Sequence, residues 1–239
     1  MIVNMDVKSL EVCVAADLSN DPVMIREIVE RQDMHKNNQD AFGLPSRLIA
    51  KIFIFRLLFG GSAYSYASDP DFKDVSTSEK YWQEVIDAFY KKYAGIATWH
   101  RKIVEEVQLN GRLVSPINGR YFPFSPEPGR NGLRWPITQI KNYLVQSTGA
   151  DLVMLSRLQA NKLLKESGMD SKLISTVHDS VVASCKPDDV LAVGKILLQS
   201  VTDLPKMVQE VWKYQLKVPM TAEIQYGKSK GEVVNLEIA

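Results

Sequence analysis

The chain has 239 residues, of which 45% are hydrophobic and 24% are charged, so it can bury a sizeable core without disulfides or structural metals. Its formal net charge of +1 excludes binding to nucleic acid through overall positive charge, so any such contact needs a local patch. The 2 cysteines provide no disulfide framework or zinc-ligand spacing, no apolar run is long enough to cross a membrane, and the first residues lack the pattern of a signal peptide.

The first half of the chain predicts one short strand followed by helices. An apolar run at residues 2–5 that ends at Asp6 is typical of a buried strand. The helical periodicity and the Gly and Pro residues that interrupt it then predict helices at residues 10–29 with a break near 21–22, at 32–42, at 47–58 and at 76–107 with a break near Gly95.

The second half mixes strands with helices. Residues 110–133 are rich in Gly, Pro and Asn and predict hairpins and loops. The remaining patterns predict a long helix at 138–165, two short strands within 173–184 around a turn at His178-Asp179, helices at 187–201 and 204–214, and a last strand at 217–226. Because strands and helices do not alternate regularly, the pattern favours the α+β class.

Two segments carry aspartates that are suited to chemistry. Asp6, at the end of the first strand, could project a carboxylate into a cleft, or it could cap the helix that follows. Asp179 lies in the segment Val177-His178-Asp179-Ser180, where a tight turn could hold its carboxylate outward. Aspartate is also a common turn residue, so neither segment alone decides between a structural and a functional role.

A third segment carries two cations and two aromatic rings at helical spacing. Arg47, Lys51, Phe55 and Phe59 are four residues apart, which places them on a slanting stripe along one side of a helix. The two like charges repel each other by roughly 0.2–0.5 kcal/mol in an isolated helix, and a triphosphate in front of them would turn that repulsion into a clamp. Alternatively, this is a core helix whose two cations extend to water.

Taken together and in this order, these segments resemble the family-A DNA polymerases, particularly those of phages, over nearly the whole chain. The resemblance rests on six segments of this sequence that match family motifs. In the list that follows, the family pattern stands in parentheses after each segment. The first three segments are Asp6 to Glu11 with the tail VAADLSNDP (DxSxxELR and AHLS-DP), QDMH at 32–35 (-DIH-) and RLIAKIFIFRLLFGG at 47–61 (RxxxKxxxFGxxYG). The other three are NYLVQSTGAD at 142–151 (N-P-QGTAAD), VHDS at 177–180 (VHDE) and YGKSKGE at 226–232 (the closing strand and tail).

The resemblance implies an α+β polymerase palm, an antiparallel sheet with helices, joined to a helical fingers subdomain. It assigns residues 1–20 to the palm, 21–110 to the fingers and 111–239 to the palm again. Family members carry several hundred residues before the first palm motif, so we expect the thumb and the 3′–5′ exonuclease domain to be absent here. An N-terminal polymerase chain or segment is therefore an expected partner.

The resemblance also implies a two-metal site for transfer of a deoxynucleotide to a primer 3′-hydroxyl. Asp6 and Asp179 stand where the family holds two Mg²⁺ ions, with the main-chain carbonyl of Val7 as a further ligand. Lys51 stands where a residue protonates the leaving pyrophosphate. DNA-templated DNA synthesis is the activity this implies, with primer-template DNA and dNTPs as partners and no membrane.

The family motifs further imply contacts to nucleotide and DNA. Arg47 and Lys51 would grip the incoming triphosphate, and His35 would contact its phosphates. The remaining implied contacts are Phe55 near the sugar, Phe59 beside the template base, Glu11 as the gate against a ribose 2′-hydroxyl, Asn142 and Gln146 on minor-groove acceptors, and His178 near the primer terminus.

Two departures from the family pattern leave alternatives open. Ser180 replaces a glutamate that is the less essential of three carboxylates, and Phe59 replaces a tyrosine, so activity is expected to survive. These departures also allow a non-catalytic DNA-binding relic or fragment of such a polymerase. Glu11 argues against a single-subunit RNA polymerase, which has no use for a carboxylate at this gate. The phage-like resemblance implies a cytoplasmic location in an infected bacterial host.

Overall fold

The computed structural model describes residues 1–129 and 132–238, and these fall into two compact units. The first unit comprises residues 1–10 and 147–239, and the second comprises residues 11–146. Residues 11–20 and 111–146 therefore cluster with the helices of the second unit rather than with the sheet of the first. The assignment of chain segments to palm and fingers stays a prediction.

The elements of the first half of the chain are one strand and a series of helices. They are β1 (Ile2–Val7), α1 (Leu10–Ser19), α2 (Pro22–Val29), α3 (Met34–Phe42), α4 (Arg47–Leu58), α5 (Ala63–Ala67), a 3₁₀ turn at Pro70–Phe72, α6 (Glu79–Lys92) and α7 (Ala94–Asn110).

The second half of the chain contains most of the strands. Its elements are β2 (Arg112–Val114), β3 (Tyr121–Pro123), β4 (Glu127–Gly129), β5 (Gly132–Arg134), α8 (Ile137–Glu166), β6 (Lys172–Val177), β7 (Ser180–Ser184), a 3₁₀ turn at Pro187–Asp189, α9 (Val190–Thr202), α10 (Leu204–Trp212), β8 (Ala222–Gly227) and β9 (Val233–Asn235).

Among its described residues, the first unit holds an antiparallel five-stranded sheet with the strand order β6-β7-β1-β8-β9. The central strand β1 alternates between two faces because successive side chains of a strand point to opposite sides. Val3 and Met5 are fully buried on one face, where the Met5 sulfur lies 3.9 Å from the hydroxyls of Ser156 on α8 and Ser200 on α9. The half-buried Asp6 is consequently on the opposite face, away from these helices.

The second unit is built around an aromatic core that anchors helix α4. Phe53 of α4 lies 5.0 Å from the ring of Tyr66 and 6.0 Å from that of Trp82, measured between ring centroids. All three side chains are almost fully buried, and the Tyr66 hydroxyl donates to the Phe53 carbonyl at 2.8 Å. Since Phe53 faces this core, the residues on the other side of α4 are left at the surface.

A single buried carboxylate caps two helices of the second unit. One oxygen of Asp21, Oδ1, accepts hydrogen bonds from the first turn of α2, at 3.0 Å from Val23 N–H and 2.9 Å from Met24 N–H. Oδ2 accepts from Gly95 N–H at 2.7 Å, in the first turn of α7. A methyl group at Gly95 would approach the Cα of Asp21 to 2.6 Å, so only glycine fits there. This contact explains why the predicted long helix at 76–107 is interrupted before Gly95.

Most of the predicted elements are present, and for the C-terminal strand the predicted start and the prediction that it is the last strand are wrong. That strand begins at Ala222 instead of residue 217, and it is not the last, because β9 follows it. Pro219 lies in the misassigned stretch and has no N–H to donate to a neighbouring strand, which explains the late start. The short helix α5 was also not predicted. The α+β class itself is confirmed.

Candidate functional site

The two predicted aspartates of the first unit have neighbouring backbones at the end of β1. Asp6 pairs directly with Ser180 of β7 across the antiparallel ladder. The next residue, Val7, donates its N–H to the backbone carbonyl of Asp179 at 3.2 Å. The pairing of β1 with the β6–β7 hairpin therefore brings Asp6, Val7 and Asp179 together, and we call these three residues the carboxylate cluster.

The hairpin turn that carries Asp179 has a constrained backbone. His178 and Asp179 form its two loop residues, between Val177 and Ser180. His178 has a φ of 53°, a left-handed value. The two common types of two-residue hairpin turn, I′ and II′, both require such a value at their first central residue. The Ser180 hydroxyl closes the turn by donating to the Val177 carbonyl at 2.9 Å. Ser180 thus has a structural role in the hairpin turn.

Glu223 is a further acidic residue at this place that the sequence analysis missed. It lies directly opposite Asp6 on β8, on the side away from β7. Directly paired residues of an antiparallel ladder share one face of the sheet, so Glu223 and Asp6 point to the same side. The sequence contains no motif at 223, and only the register of β8 against β1 shows the relationship.

The donor set of the carboxylate cluster suits a hard divalent cation. Among the described residues, no group of three or more His, Cys, Asp or Glu side chains is placed to hold a metal ion. The cluster offers two carboxylates, and Mg²⁺ is typically bound through one or two carboxylates while it keeps waters and takes further oxygens from substrate phosphates. The chemistry of the donors therefore fits Mg²⁺.

The predicted phosphate-binding residues come together in the second unit. Arg47 begins α4, and its Nε donates to both carboxylate oxygens of Asp33, at 2.8 Å to Oδ2 and 3.1 Å to Oδ1. One turn further along α4, the Nζ of Lys51 lies 5.8 Å from the centroid of the Phe55 ring. The His35 ring is 6.1 Å from the same ring. We call His35, Arg47, Lys51 and Phe55 the cationic cluster.

His35 is held in its neutral form. Burial lowers its pKa to about 4, and the nearby charges of Arg47 and Lys51 act in the same direction. The residue is 8% exposed, and its Nδ1 has no hydrogen-bond partner among the described residues. A buried ring nitrogen without a partner is costly, so His35 is suited to bind a ligand that supplies the missing contact.

A buried polar network fixes the helix that carries His35. The Tyr93 hydroxyl accepts from the Asn38 side chain of α3 at 2.8 Å and donates to Glu27 at 2.6 Å. Lys92 completes the network with an ion pair to Glu27 at 2.8 Å and a hydrogen bond to Asn38 at 2.7 Å. Helix α3 is therefore tied to both α2 and α6.

The remaining predicted residues of the second unit lie on three elements. Phe59 is half-buried and follows α4 as its C-terminal cap, so it is not part of the helical stripe. Glu11 is half-buried in the first turn of α1. Burial of Cys13 raises the pKa of its thiol to about 12, and the nearby charge of Glu11 adds to this rise. Asn142 and the exposed Gln146 lie one turn apart on α8, and the buried Oδ1 of Asn142 has no hydrogen-bond partner.

Comparison with known proteins identifies the family. The family model for DNA polymerase family A matches residues 1–232. The chain belongs to DNA polymerase family A. Its curated relatives include the DNA polymerase of Bacillus phage SP01, which is 26% identical over 100% of this chain and 27% of the relative. DNA polymerase I of Aquifex aeolicus (strain VF5) is 26% identical over 85% of this chain and 35% of the relative.

A solved structure shares the fold of this family-A chain. It is described as the POL domain of Pol1 from M. smegmatis in complex with DNA primer-template and dNTP. The match has a TM-score of 0.78 at 18% sequence identity, and it covers 95% of this chain and 39% of the other. The predicted α+β polymerase fold is thereby confirmed.

The family-A chain spans only part of its relatives, about 27% of the phage SP01 polymerase and 35% of the Aquifex enzyme. No helix among residues 1–129 and 132–238 is long and apolar enough to cross a membrane. The roles of the individual site residues stay predictions.

Proposed function

We propose that this family-A chain is the catalytic C-terminal portion of a DNA-templated DNA polymerase, with primer-template DNA and dNTPs as its substrates. The observation that carries the proposal is the pairing of β1 with the β6–β7 hairpin, which places the backbone of Asp179 against Val7, next to Asp6. Two aspartates from distant parts of the sequence become backbone neighbours there, which supports a site for the divalent metals of nucleotidyl transfer.

The carboxylate cluster would hold two Mg²⁺ ions through Asp6, Asp179 and the main-chain carbonyl of Val7. When bound, these ions activate the primer 3′-hydroxyl and stabilise the leaving pyrophosphate. Met5 and Val7 are buried on the helix-covered face of the sheet, so the strand that presents Asp6 is rigid. Preorganised ligands of this kind lower the barrier because they need no rearrangement during the reaction.

The cationic cluster would bind the triphosphate. The exposed Arg47 and Lys51 supply two positive charges on one side of α4, and neutral His35 can donate or accept a hydrogen bond at a phosphate oxygen. Lys51 would also protonate the leaving pyrophosphate. Phe55, which contacts both His35 and Lys51, would pack against the sugar.

The other predicted residues would select and align the substrates. Glu11 would exclude a ribose 2′-hydroxyl, and Phe59 would lie beside the template base. The DNA itself would be contacted by Asn142, Gln146 and His178. An N-terminal polymerase chain or segment would supply the thumb and the 3′–5′ exonuclease, and the host cytoplasm of a phage infection is the proposed location.

A non-catalytic DNA-binding relic is the second candidate, and Ser180 is the observation that favours it. Incorporation of a single nucleotide on a labelled primer-template, with and without Mg²⁺, distinguishes the two functions. The chain should be assayed alone and together with an N-terminal polymerase segment, using Asp6→Ala as the inactive variant. We expect Mg²⁺-dependent addition of a dNTP that Asp6→Ala abolishes, and much slower addition of the matching rNTP. DNA binding without any metal-dependent incorporation would establish the relic instead.

A further inference from the structure

The ion pair between Arg47 and Asp33 involves only the Nε group of the guanidinium. Both carboxylate oxygens of Asp33 accept from Nε, at 2.8 and 3.1 Å. Within the part of the chain that the structure describes, the two terminal amino groups of Arg47 make no hydrogen bond or ion pair. Those two groups form the fork with which an arginine binds a phosphate through two parallel hydrogen bonds. The contact to Asp33 therefore orients the guanidinium and leaves its phosphate-binding edge open.

Asp33 is itself held in place. Its Oδ1 accepts from the backbone N–H of Lys36 at 3.0 Å and so caps the N-terminus of α3. The polar network around Asn38 ties the same helix to α2 and α6. The side chains of Asp33 and Arg47 are 47% and 56% exposed, and an ion pair as exposed as this adds little to stability. The cap fixes the carboxylate, and its ion pair with Arg47 adds little to stability, so that ion pair is suited to a positioning role.

A second observation points to a ligand beside this pair. His35 follows Asp33 by two residues, and its buried Nδ1 has no partner. The His35 ring and the Lys51 ammonium both lie near Phe55, at 6.1 and 5.8 Å from its ring centroid. His35 on α3 and Lys51 on α4 thus lie next to one ring, and the buried Nδ1 of His35 is left with unused hydrogen-bonding capacity.

We propose that Asp33 is a positioning residue for the incoming nucleotide. It holds Arg47 by Nε so that the two terminal amino groups meet the phosphates of a deoxynucleoside triphosphate. Because the same carboxylate caps α3, it also fixes the spacing between Arg47 and His35. This inference rests on the proposed function, since it assigns Asp33 to the triphosphate site of a polymerase.

The opposite role for Asp33 makes a different prediction. If its carboxylate instead occupied the place of a phosphate, the triphosphate would have to displace it, and removing its charge would strengthen nucleotide binding. A positioning role predicts weaker binding on the same change. The sign of the effect therefore distinguishes the two roles.

The test is calorimetric titration of dTTP into the full chain, with Ca²⁺ in place of Mg²⁺ so that no turnover occurs. Asp33→Asn is the main variant, because asparagine is also a favoured helix cap and preserves the shape of the side chain. Asp40→Asn is the matched control, since Asp40 is an exposed acid of the same helix that pairs with Lys36 at 2.6 Å. We expect Asp33→Asn to weaken dTTP binding about tenfold, the effect of losing one charged hydrogen bond, while Asp40→Asn changes it less than about twofold.

A double-mutant cycle separates positioning from a merely structural effect. Adding Asp33→Asn to Arg47→Ala should cause no further loss of dTTP affinity, because Asp33 acts through Arg47. Full additivity of the two losses would overturn the inference, as would unchanged or tighter binding by Asp33→Asn while Arg47→Ala binds weakly. Both of those results would leave the proposed function intact. Undetectable dTTP binding by the wild-type chain would overturn the phosphate site of the proposed function together with the role of Asp33.

Discussion

Asp6 and Ser180 lie directly opposite each other in the β1–β7 pair, so the position where the family resemblance implies a third carboxylate carries a hydroxyl beside the proposed metal ligand. That hydroxyl is used locally, because it donates to the Val177 carbonyl at 2.9 Å and closes the hairpin turn that presents Asp179. A serine at this position therefore maintains the geometry of the turn. Compared with a glutamate, it leaves less negative charge around Asp6.

Ser180→Ala should destabilise the turn without abolishing nucleotide incorporation. The change removes one partly buried hydrogen bond, which contributes about 0.5–1.5 kcal/mol to the free energy of unfolding. Urea unfolding of the wild-type chain and the variant measures this loss, and single-nucleotide incorporation measures the effect on function. An incorporation rate that falls as far as it does in Asp6→Ala would show that Ser180 has a catalytic role that we do not assign to it.

Glu223→Gln should raise the Mg²⁺ concentration needed for half-maximal incorporation. Glu223 is paired with Asp6 on the same face of the sheet, so its charge attracts a cation bound there. The expected change is several-fold, on the order of 1 kcal/mol for one charge at close range in a partly solvated site. The exposed Glu232, outside the strands, gives the matched control Glu232→Gln. Identical Mg²⁺ titrations of the two variants would contradict this role for Glu223.

Asp21→Ala should be among the most destabilising single substitutions of a polar residue in this chain. It removes a fully buried side chain that caps both α2 and α7, and the loss of each cap costs about 1 kcal/mol or more. Ser46→Ala, which removes the cap of α4 alone, is the comparison. Denaturant unfolding should show at least about twice the loss for Asp21→Ala. Equal losses would mean that one of the two caps of Asp21 contributes nothing.

Stability should fall on acidification below about pH 6.5, the ordinary pKa of histidine. Burial lowers the pKa of His100 to about 3, with a further contribution from the charge of Lys141, and burial likewise lowers that of His35 to about 4. Between these values and 6.5 the unfolded chain binds more protons than the folded chain, so the free energy of unfolding decreases as the pH falls through this window. Well above pH 6.5 both rings are neutral in the folded and the unfolded chain, and their contribution is complete.

Urea unfolding between pH 4 and 7.5 measures this dependence. The slope of the free energy of unfolding against pH should be smaller in His100→Asn than in the wild type, because one of the two depressed groups is gone. The two proteins are compared by this slope and not by the free energy of unfolding itself. The variant also loses the contact between His100 Nδ1 and the Tyr90 hydroxyl at 3.1 Å, which lowers its stability at every pH. A steeper slope in the variant would contradict the assignment.

Local patterns were enough to predict the elements that present the site. The apolar run before Asp6 indicates β1, and the β-branched stretch around His178-Asp179 indicates the hairpin, because both signals lie within a few residues of sequence. The helix from Arg47 to Leu58 was predicted for the same reason, from its cap at Ser46 and its periodicity. The pairing of these segments was inferred only through the family resemblance.

The proposed roles of two residues were not visible in the sequence, although one of them, Asp33, lies within the QDMH segment. Asp33 stands at the start of a helix, where an aspartate is already explained as a cap, and its contact with Arg47 depends on how α3 packs against α4. Glu223 lies in an ordinary strand, and only the register of β8 places it opposite Asp6. Packing and register are set by contacts between distant segments, so a single sequence does not display them.

The measurement that tests the central claim most directly is primer extension by the chain with Mg²⁺ and dNTPs, comparing wild type, Asp179→Ala and Asp188→Ala. Asp188 is an exposed aspartate nine positions further along the chain, in the 3₁₀ turn, and serves as the matched control. All three proteins should be assayed with the N-terminal polymerase segment present. We predict that wild type and Asp188→Ala extend the primer at similar rates, and that Asp179→Ala is slower by on the order of 10³-fold or more, because a metal ligand contributes several kcal/mol to the transition state. Extension by Asp179→Ala at the wild-type rate would contradict the assignment of this chain as the catalytic portion of a polymerase.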